Sequence, residues 1–213
     1  MNELKLFANI SYDEIEMLIK CINAKRVNFK KDDFIIEADT ATDEFGILLE
    51  GSARSVKWDV SGKQTIITMV EPGGAIGVLL AAMCGGVSPL AVQATSDSVV
   101  MMIPYKRILE GCEKNCRCHE KLLQNLVGII AEKGLELHER INCLLEPSVR
   151  DKILTYLLKI SREQKSRTFI LPINRNIMAE YLNIERSSLS RELSRMKKDG
   201  LIEYKNNNFE LKR

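Results

Sequence analysis

Histidine is nearly absent from this chain: His119 and His138 are the two it has in 213 residues. There is no Walker loop and no nucleophile motif around a serine or cysteine, so the common hydrolytic and phosphoryl-transfer chemistries lack their groups. An enzyme is not expected. Long apolar runs are missing too. None approaches the roughly 18 to 20 residues that cross a bilayer, and the opening MNELKLFANISYDEIEM lacks the apolar stretch and small-residue cleavage site of a signal peptide. The expectation is a cytoplasmic protein without a membrane partner. Aromatic residues are sparse, at 6%, yet 45% hydrophobic with 28% charged residues is the balance of a globular chain with a substantial core, which excludes disorder.

Net charge is also small, +2 over the whole chain, but it is unevenly spread. Residues 150–213 carry 15 Lys and Arg against 8 Asp and Glu, a net of +7, which leaves −5 for the first 149 residues. A basic C-terminal segment is the electrostatic footprint of a nucleic-acid contact, and on charge alone it is equally that of a solvated surface. The pattern must decide.

Residues 26–104 read as short strands divided by turns: VNFKKDDFIIEAD, EFGILLEGSARSVKWD, KQTIITMVEPGG and LAVQATSDSVVMMIP. The punctuation is KKDD, Ser61-Gly62 and Pro72-Gly73-Gly74, residue types that supply the backbone angles of tight reversals. Many short strands at such intervals indicate an antiparallel barrel or sandwich. Before them SYDEIEMLIKCI predicts a short amphipathic helix, with Ser11 as its N-cap and Ile15, Leu18, Ile19 and Ile22 on one face.

From about 105 to 145 the pattern is helical, long and free of proline in its later half. Leu123, Ile130, Leu137 and Leu144 recur every seven residues, with Leu126, Val127 and Ile141 on the flank. That is a seam for a second copy of the helix and hence for a homodimer; the alternative is a helix packed on its own barrel. Lys133 and Gly134 interrupt the stripe. Glu146-Pro147-Ser148 then ends the helix, because proline removes a donor and disfavours helix before it. The expected domains are 1–120, a sensor barrel; 121–146, the long helix; and 147–213.

The most specific stretch is INRNIMAEYLNIERSSLSRELSRMKKDGLIEYKNNNFELK. Asn174 caps a two-turn helix on which Ala179 is small enough for a second helix to cross. Asn183 tolerates the left-handed backbone of the turn, and Ile184 and Leu189 are apolar pegs behind it. A second helix of about 14 residues turns Leu189, Leu193 and Met196 inward and Arg186, Ser187, Ser190, Arg191 and Arg195 outward. Arginine donates two bonds to guanine, and serine adapts to bases or phosphates, so this face suits a major groove. Gly200 stops the helix, and LIEYKNNNFELK reads as a two-stranded wing. Any one of these residues alone is an ordinary solvated side chain; together they spell a winged helix-turn-helix.

Set in order, barrel, long helix, hinge and winged helix-turn-helix resemble the CRP/FNR family (cyclic-AMP receptor protein and fumarate-nitrate regulator) from about Ser11 to Phe209. ILLEGSARS, Ser61-Gly62-Lys63 and PGGAIG look like the family's barrel motifs, and SSLSRELSRM looks like its recognition helix. The resemblance implies an α+β fold. Its parts are an N-terminal antiparallel β-roll of the cyclic-nucleotide-binding, jelly-roll kind, a long dimerisation helix and a C-terminal winged helix-turn-helix. It implies a bacterial transcription regulator that binds a palindromic operator in double-stranded DNA as a homodimer and contacts RNA polymerase. Ser190 and Arg191 fall at base-contact positions and Arg175 at a phosphate-contact position; Arg186, Ser187, Ser188 and Arg195 complete the DNA-facing set. Ser187 stands where many members have a contacting glutamate.

The family's cyclic-nucleotide cassette is not matched. The glutamate that holds the ribose and the arginine that holds the cyclic phosphate correspond to Val78 and Ser88, followed by Pro89. A phosphate without a cation or a set of donors is poorly compensated, so cyclic AMP in the usual mode is not expected. Gly77, Val78, Leu79, Ser88 and Pro89, closed by Leu122, Leu126 and Ile129, would line an apolar pocket for an unknown small-molecule effector, or simply fill a core. Cys112, Cys116, Cys118 and His119 form C-x3-C-x-C-H, compact enough for zinc, an iron-sulfur cluster or thiol redox sensing; buried free thiols are the plain alternative. No cofactor is required by the sequence. A cyclic-nucleotide-binding module serving an enzyme or channel is the competing reading, weakened by the chain's own winged helix.

Overall fold

The computed structural model describes residues 4–58, 62, 64–83, 87–111 and 117–212. The chain divides into two compact units, Met1–Gly134 and Leu135–Arg213.

In the first unit a single 3-10 turn, Lys5–Phe7, precedes helix α1 (Tyr12–Cys21). Ser11 starts α1 as expected. The Glu14 carboxylate accepts from the Ser11 backbone N–H at 3.0 Å and from its hydroxyl at 2.9 Å, which holds that carboxyl below its usual value. Strands β1 (Lys25–Phe29), β2 (Phe34–Ile36), β3 (Glu44–Glu50), β4 (Ala53–Trp58), β5 (Gln64–Val70) and β6 (Ala75–Ile76) follow. Helix α2 (Val78–Ala82), strands β7 (Ala91–Ala94) and β8 (Ser98–Pro104) and helix α3 (Tyr105–Leu109) lead to the long helix α4 (Arg117–Leu145).

The strands form two antiparallel four-stranded sheets, β1-β8-β3-β6 and β2-β7-β4-β5. LAVQATSDSVVMMIP is therefore two strands in different sheets, with the chain changing sheet at residues 95–97. Alternation along β3 and β8 decides where the core sits. Leu48 and Val100 point into the space between the sheets. Phe45, Ile47, Met101 and Ile103 point the other way, onto α1 and the first turns of α4. Both faces of the β3–β8 pair are thus buried, which explains its nearly unbroken apolar sequence.

The second unit holds the end of α4, helix α5 (Val149–Glu163), strand β9 (Thr168–Ile170), helices α6 (Arg175–Tyr181) and α7 (Arg186–Lys198) and strands β10 (Ile202–Lys205) and β11 (Asn208–Leu211). Ser148 caps α5, its hydroxyl accepting from the Asp151 backbone N–H at 3.1 Å. The three strands form one antiparallel sheet in the order β10-β11-β9. Its core joins Tyr156 and Leu157 of α5, Met178 of α6 and Leu189, Leu193 and Met196 of α7.

Candidate nucleic-acid interface

The geometry of the helix pair begins at Asn174. Its Oδ1 accepts from the backbone N–H groups of Asn176 and Ile177 at 2.9 and 3.1 Å, satisfying two of the donors that a helix start leaves open. Asn183 takes a φ of 51° in the turn, and the Ile184 N–H returns to the Ala179 carbonyl at 3.0 Å. Ala179 is buried and packs in one core with Met178 and Leu182 of its own segment and Leu189 and Leu193 of α7.

Burial of Leu189, Leu193 and Met196 orients α7 and turns Ser187, Arg191 and Arg195 to the opposite side, while Arg186 in the first turn and Ser190 on the flank are exposed as well. Ser188 is half-buried and accepts from Arg191 Nη2 at 3.2 Å, so it orients that arginine. Ser190, Arg191, Ser194, Arg195 and Lys198 border a shallow concavity of about 400 Å³. Arg195, Lys197 and Lys198 crowd the last turn, where the helix dipole favours cations.

Gly200, at φ 69°, ends α7, and the wing follows as an antiparallel hairpin with Lys205 opposite Asn208 and Asn206 at φ 55° in its turn. Arg175 is built into this wing. Its guanidinium sits over the Tyr204 and Phe209 rings, 4.8 and 4.5 Å from their centroids, and Nη2 donates to the Asn206 carbonyl at 3.0 Å. The stacking partners were not foreseen. Sequence reasoning also passed over Arg150, Glu192 and Asp199, which join α5 to α7; the signal available was one acid within an otherwise basic helix and a second just past its end, seven residues on.

In the first unit the residues expected to line an effector pocket are divided. Val78, Leu122, Leu126 and Ile129 share one packed core. Leu79 and Pro89 are exposed. Ser88 is fully buried, and its hydroxyl is used within its own turn, donating to the Leu90 carbonyl at 2.5 Å and accepting from the Leu90 N–H at 3.3 Å. Gly77 has φ 70°, and a Cβ there would lie 2.4 Å from Ile36 Cδ1, so the turn needs glycine.

Cys112 and Cys116 lie outside the described residues. Cys118 is buried in the apolar core, and the neighbouring His119, also buried, places Nε2 3.2 Å from both the Arg107 and Ile108 carbonyls at the end of α3. Consecutive helical residues diverge by about 100°. The two groups accordingly reach different surroundings, and among the described residues no three His, Cys, Asp or Glu side chains are placed to hold a metal.

Along α4, Val127, Leu137 and Ile141 are exposed, while Leu123 and Ile130 are half-buried against the first unit's core and Leu144 is half-buried. Leu126, placed by the sequence both on the flank of this stripe and with Leu122 and Ile129 against the roll, lies with those two in the core. The helix runs unbroken through Lys133 and Gly134.

Residues 26–115 match the family model described as the cyclic nucleotide-binding domain, and residues 151–213 match that of the Crp-like helix-turn-helix domain. The chain belongs to the CRP/FNR family of transcription regulators. Membership in CRP/FNR implies DNA as a partner. The transcriptional activator protein FnrA of Stutzerimonas stutzeri is 22% identical over 208 residues, covering 95% of this chain and 82% of that protein. Among solved structures, FixK2 from Bradyrhizobium japonicum has a TM-score of 0.65 at 20% identity, covering 89% of this chain and 93% of its own. A CooA variant from Carboxydothermus hydrogenoformans has a TM-score of 0.71 at 15% identity, covering 95% and 88%. These CRP/FNR-like structures share the fold. No described helix is long and apolar enough to cross a membrane.

Proposed function

We propose that this regulator acts as a homodimer on a palindromic DNA site, reading the major groove through α7 and responding at its β-roll to a small molecule or redox signal other than cyclic AMP in the usual mode. The observation that carries the reading is the exposed basic face of α7, held on a buried Leu189–Leu193–Met196 stripe. Arg191 and Arg186 are the base readers, Ser187 and Ser190 adapt to bases or phosphates, and Arg175 and Arg195 serve the backbone. The apolar stripe of α4, with Val127, Leu137 and Ile141 exposed, supports helix-to-helix pairing of two copies. Two-fold symmetry in the protein demands it in the operator. Once bound, the dimer contacts RNA polymerase.

The case against ordinary cyclic-AMP sensing rests on Val78 and Ser88. One is a buried apolar side chain and the other a neutral hydroxyl already bonded within its turn, so neither compensates a ribose or a phosphate. To test the proposal, duplexes are enriched from a random pool with the full chain and measured by gel shift at two salt concentrations. Enrichment of a palindrome with strongly salt-dependent affinity is expected. Failure to enrich any sequence, with or without cyclic AMP and under both oxidising and reducing conditions, would overturn it.

A further inference from the structure

Helix α7 is basic on its exposed side but carries one acid within its span, Glu192, directly after the base reader Arg191. A carboxylate there is a liability on two counts. It repels phosphates, and at three residues' distance it can capture Arg195, since residues three and four apart are neighbours on a helix. A second acid, Asp199, caps the C-terminal end of α7, where the helix dipole is already negative.

One residue from another helix answers both. Arg150, the second residue of α5, donates from Nε to Glu192 Oε1 at 2.6 Å and places Nη1 2.7 Å from Asp199 Oδ2. Glu192 and Asp199 are seven residues apart, so a single guanidinium spans two turns of the recognition helix along the flank facing α5. The Glu192 side chain is only 12% exposed. Its other oxygen, Oε2, meets Arg195 Nη1 at 3.4 Å, the longer of the carboxylate's two arginine contacts. The two acids in turn hold the Arg150 guanidinium above its usual value; a guanidinium is cationic at every physiological pH in any case.

We propose that Arg150 is a positioning residue for DNA binding. It rests on the DNA-binding reading above. By occupying Glu192 and Asp199 it draws the carboxylates of α7 toward α5, cancels their repulsion of phosphate, and leaves Arg195 bound by one long contact from which a phosphate oxygen can take it. Arg150 does not touch the DNA itself. Loss of Arg150 turns Glu192 into a competitor for Arg195, and removal of the Glu192 charge cures that defect.

The test uses full-length protein, a duplex enriched from a random pool by the unaltered chain, and a scrambled duplex. Arg150→Met should weaken binding to both duplexes by about tenfold, or about 1.4 kcal/mol, without changing the ratio between them. Arg150→Met with Glu192→Gln should recover most of that loss, and Arg150→Lys should retain part. Should Arg150→Met fail to fold, Glu192→Gln alone is decisive, because it should bind both duplexes at least as tightly as the unaltered chain and the opposite result overturns the proposal. A defect that Glu192→Gln does not relieve would make Arg150 a direct contact or a packing residue, and unchanged binding by Arg150→Met would likewise overturn the proposal. If the unaltered chain binds neither duplex, the DNA-binding reading itself has failed.

Discussion

Arg175, the first residue of α6, lies 4.5 Å from the ring centroid of Phe209 in the last strand of the wing. Burial without an acidic partner lowers its guanidinium from the usual value, an effect that Tyr204 opposes, and Nη1 is buried without a hydrogen-bond partner among the described residues. We propose that this cation acts on DNA phosphate through its charge and not through the enclosed Nη1. One side chain thereby fixes the wing and presents charge beside it.

Arg175→Ala should lower the unfolding free energy by about 1–2 kcal/mol, the range of a partly desolvated cation–π contact, measured by urea denaturation. It should also reduce the slope of log affinity against log salt by about one phosphate. Arg175→Lys should restore the slope more fully than the stability. An unchanged slope in the alanine variant would confine Arg175 to holding the wing.

Arg191→Ala is expected to cost about 1–3 kcal/mol of binding to the enriched duplex, typical of a lost bidentate base contact, with a smaller loss on scrambled DNA. Equal losses on both would reassign it to the phosphate backbone. Because Ser188 accepts a hydrogen bond from Arg191, Ser188→Ala should give a weaker defect of the same kind.

Ile141→Glu on the exposed stripe of α4 should shift the chain from dimer to monomer in sedimentation and abolish cooperative binding to the palindrome. A charge in such a seam has no compensating partner. A dimer of undiminished stability would place the interface elsewhere.

The second unit should lose stability as pH rises. Burial pushes the Cys143 thiol up, with Glu139 and Glu146 adding to the rise and Lys159 opposing it. The folded thiol therefore keeps its proton after the unfolded one has lost it, and its contribution, complete below the unfolded value of about 8.5, falls away above it. Tyr156 and Tyr181 shift in the same direction, chiefly through burial. Urea midpoints taken from neutral to alkaline pH should decline less for Cys143→Ala than for the unaltered chain. Parallel curves would refute the assignment. Alkylation followed by peptide mapping should label exposed Cys21 rapidly and Cys118 and Cys143 slowly.

The winged helix was legible because its signals are local. Asn174, Asn183, Gly200 and Asn206 each impose a cap, a turn or a stop within a few residues, and Ser11 and Ser148 do the same for α1 and α5. What escaped depends on distance. Arg150 meets Glu192 across 42 residues of chain, and Arg175 meets Asn206 across 31. No periodicity encodes such pairs. The sheet change at residues 95–97 was invisible because β7 and β8 have the same apolar character. Leu126 was read two ways for a related reason: a heptad marks an apolar stripe, and a helix buried on a second side carries another stripe that blurs it.

The turn at Ser88 also limits how this chain can be altered. Its hydroxyl both donates to and accepts from Leu90, its backbone is bonded to Asp39 and Thr40, and the residue has no solvent exposure, so Ser88→Arg would drive a long cation into a buried position. Val78 across the same roll is equally enclosed. Engineering responsiveness to a cyclic nucleotide is thus a matter of transplanting the whole segment between β6 and β7, and point substitution at the two diagnostic positions should yield an unstable protein in place of a sensor.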